Sequence, residues 1–282
     1  EIIMKLKKIL AVMMAAAMML SMAACGGEET TTAESTGEQK TIDGNVLDAE
    51  QYFNGYLNSE PTTLDSVTGN DTYSSSILTN AMEPLTRLAE KDGENVREGA
   101  AAESWESNED GTVWTFHLRD NKWSDGQPVT ANDYVYAITR VLTPETGSPN
   151  SWLLTCVKNA NAVLAGEMDP SELGVKAVDD KTIEFTLESP TPYFLALTDT
   201  RVMMPQRQDI VEQYGESYGA EASNMVYNGP FKLETWTHNS ELILVKNDQY
   251  WDAENVNLQT INYKIMNDEN TIFNSFTNGS ID

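Results

Sequence analysis

The stretch from Trp105 to Val141 constrains the fold more than any other part of the chain. Its first half alternates: Val113, Thr115 and His117 fall on one side, and Trp114, Phe116 and Leu118 on the other. A period of two in aromatic and branched residues predicts a β-strand. Asn108 to Gly111 before it, and Asp125 with Gly126 after it, carry turn chemistry. Pro128 removes a backbone donor there. Thr130 then caps a helix, with Asp133 in the position of a capping-box acid. Tyr134, Ala137, Ile138 and Val141 form one apolar stripe along that helix.

The rest of the body alternates irregularly between strand and helix signals. Gln51 to Asn58 reads as the first strand, and Asp71 or Thr72 caps a helix through Ile77, Leu78, Ala81 and Met82, ended by Pro84. Arg87 to Glu98 predicts a hairpin over Lys91, Asp92 and Gly93. Ser151 to Gly166 reads as helical, Thr182 to Leu187 as a strand, and Gln208 to Tyr214 as a short helix. Phe231 to Trp236 and Glu241 to Lys246 make a second hairpin, and Gln259 to Ile265 one more strand. Asn270 to Asn278 is a helix stopped by Gly279. This order predicts a mixed α/β fold.

Charge and chemistry exclude several function classes. The chain carries 18 Lys and Arg against 44 Asp and Glu, a net charge of −26. That balance argues against holding nucleic acid or anionic lipid by charge. After Cys25 only Cys156 remains, so no intramolecular disulfide is expected. Cys156 lies in an apolar segment and reads as a buried, inert thiol. His117 and His238 have no partner at metal-ligand spacing, and no nucleophile elbow or phosphate loop is present. Acid pairs such as Asp179 and Asp180 read as turn and surface residues. The expectation is a protein with no catalysis, no metal and no cofactor.

Three blocks carry a family resemblance. One is Trp123 to Tyr134, preceded by Ala102 to Trp105; the second is Asn228 to Leu233, continued by Leu242 to Lys246 and Asn247 to Trp251. The third is Gly174 to Asp180, leading through Thr182 to Phe185 to Pro190 to Phe194. In order and spacing they resemble the extracellular solute-binding proteins of peptide ABC importers, the oligopeptide- and dipeptide-binding family. The resemblance runs from about Gln51 to Asp282.

That resemblance implies a two-lobed periplasmic-binding-protein-like fold of type II, of which this chain, an N-terminal fragment, holds mainly the first lobe. Lobe I is expected at 46–72 and 164–268, an inserted subdomain at 73–163, a hinge near Lys264 to Asp268, and the start of lobe II at 269–282. The implied partners are a peptide, gripped by its backbone and charged termini, and a permease and ATPase complex; the implied state is a monomer. Three segments are expected to face the ligand: Asn70, Asp71 and Thr72; Asn150, Ser151 and Trp152; and Tyr227, Asn228 and Gly229. Asn70 stands where the family has an acid and Asn150 where it has an aromatic. Asn228 and Gly229 read equally as a turn with positive φ at Gly229, and Trp152 equally as core. Trp105, Trp114, Trp123, Trp236 and Trp251 are assigned to packing. Nickel, haem or an oligosaccharide on the same scaffold, or a peptide-sensing surface receptor, are the alternative readings.

The N-terminal region reads as an export signal. Translation is expected to start at Met4; Lys5, Lys7 and Lys8 precede an apolar run from Ile9 to Leu20 that suits a signal peptide. Leu20 to Cys25 resembles a bacterial lipobox, so residues 1–24 are expected to be removed and Cys25 lipidated. Cleavage after a site with small residues, without lipid, is the alternative. Residues 25–45 are polar and acidic and read as a flexible tether. The expected location is outside the cytoplasm, anchored by lipid to the bacterial membrane.

Overall fold

The computed structural model describes residues 41–42 and 45–282. Strands β1 (Thr41–Ile42) and β2 (Asn45–Val46) pair with each other in antiparallel fashion, within a unit that is separate from residues 48–282. Cys25 and the expected signal peptide lie outside the described residues, as does most of the expected tether.

Along the main unit come β3 (Tyr52–Leu57), α1 (Thr72–Ala81), β4 (Thr86–Lys91), β5 (Glu94–Gly99), β6 (Ala102–Ser107) and β7 (Val113–Leu118). Then follow α2 (Ala131–Leu142), α3 (Ala160–Leu164), β8 (Val175–Asp179), β9 (Thr182–Thr186), α4 (Phe194–Leu197) and α5 (Gln208–Tyr214). The chain closes with β10 (Phe231–Thr237), β11 (Glu241–Lys246), β12 (Thr260–Ile265) and α6 (Glu269–Thr277). One sheet has the order β10-β11-β12-β3, antiparallel except that β12 runs parallel to β3. A second, β6-β7-β9-β8, is antiparallel throughout. β4 and β5 form a separate hairpin. The fold is mixed α/β, as the element order predicts.

Local chemistry explains these elements. The alternation at Val113 to Leu118 aims Phe116 and Leu118 into the core, where both are buried. Phe116 meets Phe185 edge-on at 5.8 Å between ring centroids, and Phe194 packs against Phe185 at 5.2 Å. Such tilted pairs align ring edges with ring faces. At the start of α2 the Thr130 N–H donates to Asp133 Oδ2 at 2.8 Å, and Trp123 Nε1 donates to the same oxygen at 3.2 Å. Tyr134, Ala137, Ile138 and Val141 are all fully buried. The β4–β5 turn takes positive φ at Asp92 and Gly93, the conformation that suits a two-residue hairpin turn.

One feature departs from the sequence expectations. Ser151 to Gly166 is not one helix: a 3-10 turn at Ser151–Leu154 is separated from α3 by Asn159, which sits in the left-handed region at φ 66°. Its amide reaches across to Glu172 O at 2.6 Å and its N–H to Glu188 Oε1 at 2.6 Å, so tertiary bonds replace the helical ladder there. Among the described residues no helix is long and apolar enough to cross a membrane.

Candidate functional site

Two of the three expected segments are brought together. The loop from Asp65 to Thr72 is fixed at its start by a buried carboxylate: Asp65 pairs with Arg140 at 3.0 Å and accepts from Gln206 Nε2 at 2.7 Å and from its own loop at Val67 N, 3.0 Å. From the other side Ser148 Oγ donates to Val67 O at 2.6 Å, and Asn150 Nδ2 donates to Gly69 O at 3.1 Å. Asn150 thus uses its amide to hold the loop. Asn70 and Thr72 are exposed beside it. Trp152 is also exposed, at 67 %, which excludes the core alternative. Ser151 is half-buried in the same 3-10 turn.

Asp71 closes the loop as the N-cap of α1. It accepts from Ser74 N at 2.7 Å, Ser74 Oγ at 2.6 Å and Thr62 Oγ1 at 2.6 Å. Burial alone would raise its carboxyl, but the Ser74 and Thr62 hydrogen bonds carry it down to about 2. The carboxylate is therefore turned inward to cap the helix and brace Thr62.

The third segment lies elsewhere. Tyr227, Asn228 and Gly229 are buried, and their polar groups meet protein partners. Asn228 Oδ1 accepts from Glu83 N at 2.9 Å, and its Nδ2 donates to Glu83 O at 3.2 Å. Tyr227 OH donates to Ala222 O at 3.2 Å, and Gly229 N to Ala81 O at 3.0 Å. Gly229 is not a positive-φ turn residue. A Cβ there would come within 2.7 Å of the Ala81 backbone, so glycine is required by close approach to the end of α1. These atoms are not available to a ligand in this conformation.

Glu83 is the centre of that buried cluster, and no sequence motif singled it out. Tyr134 OH donates to its carbonyl at 3.0 Å, and Trp251 Nε1 to its Oε1 at 3.0 Å. Burial pushes its carboxyl up, against Trp251, Tyr250, Arg87 and Arg119, which favour the charged form. Trp251 in turn lies under Arg119, 3.8 Å from guanidinium carbon to ring centroid. Residues from two of the three blocks, Tyr134 from one and Asn228 and Trp251 from the other, therefore meet in one packed node.

The loop leading to Asp65 has its own anchor. Glu60 accepts from Trp236 Nε1 at 2.9 Å and also pairs with His238 Nδ1 and Asn239 N. His238 Nε2 faces Glu221 Oε1 at 3.2 Å. The bond to Glu60, with that to Glu221, raises the pKa of the His238 ring against desolvation. Glu60 and Glu221 are both distant from His238 in sequence, and only folding places them beside it.

Comparison with known proteins agrees with this architecture. The dipeptide-binding protein DppE of Bacillus subtilis is 35 % identical over 88 % of this chain and 45 % of its own length. The probable deoxycholate-binding periplasmic protein YgiS of Escherichia coli is 36 % identical over 84 % of this chain and 44 % of its own. The crystal structure of the substrate-binding domain of an oligopeptide ABC transporter from Bacillus anthracis superposes with a TM-score of 0.81. It is 45 % identical and covers 84 % of this chain and 45 % of that structure. The chain thus spans about half the length of the relatives it matches. The family model for bacterial extracellular solute-binding proteins, family 5 Middle, matches residues 97–282. The chain belongs to the family 5 bacterial extracellular solute-binding proteins.

Proposed function

We propose that this chain is the first part of a substrate-binding lipoprotein of an ABC importer. It captures oligopeptides or dipeptides outside the cell and delivers them to a membrane permease. The observation that carries the reading is the likeness, over more than four fifths of the chain, to relatives named for dipeptide binding and oligopeptide transport. The geometry supports it: an exposed loop at Asn70 to Thr72 stands beside the exposed Trp152, joined through Asn150 and Gly69. A grip on the peptide backbone and termini tolerates many side chains. Tyr227, Asn228 and Gly229 pack in the core against the end of α1 and Glu83. Cys25 carries the lipid anchor, the protein acts as a monomer without catalysis, and 269–282 begins the second lobe.

The likeness to a probable deoxycholate-binding protein favours a second reading, a non-peptide apolar ligand on the same scaffold. Thermal shift of the complete protein with a defined mixture of di- to pentapeptides, and separately with deoxycholate, distinguishes them. A ligand at a hundredfold its Kd stabilises by about 2.7 kcal/mol. A shift with peptides alone supports the importer; a shift with deoxycholate alone replaces it.

A further inference from the structure

Arg201 was not part of any motif, yet the loop Asp65 to Thr72 is wrapped around it. Val202 and Met203 beside it are fully buried, which fixes the backbone that carries it. Its Nε donates to Ser66 O at 3.2 Å and its Nη1 to Ser75 Oγ at 3.2 Å. Ser75 Oγ in turn donates a hydrogen bond to Asp71 O at 3.0 Å. The guanidinium therefore ties the residue after Asp65 to the carbonyl of Asp71, with Gly69 and Asn70 between. Its Nη2 is buried and has no hydrogen-bond partner. That atom lies 2.7 Å from where a Cβ on Gly69 would stand, so a side chain at residue 69 would displace the end of the guanidinium. Burial lowers the pKa of Arg201, opposed by Asp71 and Asp65, and a guanidinium stays charged in such a setting.

We infer that Arg201 is a positioning residue that sets the conformation in which Gly69 to Thr72 meets the ligand. The inference rests on the peptide reading above. A rigid, preformed loop binds more tightly because less ordering is left to binding. Asn150, which holds Gly69 O from outside, and Arg201, which holds both loop ends from within, act on the same short segment.

The test is isothermal titration of the complete protein with the tightest-binding member of a defined mixture of di- to pentapeptides. Wild type, Arg201→Ala, Arg201→Lys, Gly69→Ala and the Arg201→Ala/Gly69→Ala pair are compared well below their melting temperatures. Arg201→Ala is expected to raise Kd about tenfold, equivalent to about 1.4 kcal/mol. Arg201→Lys, which keeps the charge but not the fork, is expected to fall between. Amide exchange should quicken at Gly69 to Thr72 and not in β10 or β11. Gly69→Ala should cost less in the Arg201→Ala background than alone, because the clashing atom is gone. A merely structural role lowers the melting temperature and leaves Kd and local exchange unchanged. If the wild type binds no peptide, the peptide reading falls and this inference with it. If the wild type binds and both Arg201 variants stay within about twofold of its Kd, this inference alone is overturned.

Discussion

The amide of Asn228 meets Glu83 at both ends, accepting from its N–H and donating to its carbonyl in a fully buried setting. Asn228→Ala leaves the Glu83 N–H unpaired, while its carbonyl keeps the bond from Tyr134 OH, and a buried orphan costs about 1–3 kcal/mol. The expected loss is about 2 kcal/mol in urea unfolding of the complete protein. A ligand-contact role would instead weaken binding at unchanged stability. Glu83 adds a pH dependence. A carboxyl raised by burial above 4.5 binds more protons in the native state than in the unfolded state. Wild-type stability therefore falls as pH rises from 4.5 through the folded value, then levels off. Glu83→Gln keeps the Trp251 bond but lacks the titration. Its stability relative to wild type should rise over that window; parallel curves would show that Glu83 does not titrate there.

At the scale of elements, α1 and the β10–β11 turn carry the clearest tests. Asp71 is lowered to about 2, so its contribution is complete above 3.8 and is lost as pH falls from there towards 2. Asp71→Ala should cost about 1 kcal/mol, as loss of an N-cap does, and should remove that acid limb. Faster amide exchange in the first turn of α1 checks the assignment. For His238 the sign is reversed. Its raised pKa means that the clamp to Glu60 and Glu221 is fully present below 6.5 and is lost as pH rises through the folded value. An NMR titration midpoint for His238 at or below 6.5 would contradict the clamp. Such bonds also show what the sequence could reveal. Strands β3, β7, β9 and β11, helix α2 with its box, and the Asp92–Gly93 turn were legible because period and turn chemistry are local. β6 was not, because Ala102 to Ser107 has Trp105 as its one large apolar residue. The bend at Asn159 was hidden because Glu172 and Glu188, which stabilise it, come later in the chain. Asn150 reaches Gly69, next to Asn70, across a long stretch of chain, a contact that local pattern does not encode. Asn228 was placed at the ligand because its motif was visible while its burial was not. Arg201 carried one local hint, a charge beside Val202, Met203 and Met204.

For the whole molecule, the two sheets share one hydrophobic core, and α6 lies outside it. Phe273 and Phe276 are 68 % and 61 % exposed, and none of the residues of α6 is buried. An uncovered aromatic face of this kind promotes association. Residues 25–282 expressed alone should therefore self-associate, and a monodisperse monomer in light scattering would count against an uncovered interface. The central claim concerns ligand capture, and native mass spectrometry of the complete protein tests it most directly. The protein would be purified gently from its host with Cys25 replaced. The expected result is a set of bound masses that fragment as peptides of varied sequence. An empty protein, or one carrying a single non-peptide mass, would contradict the peptide reading and leave only the family and the fold.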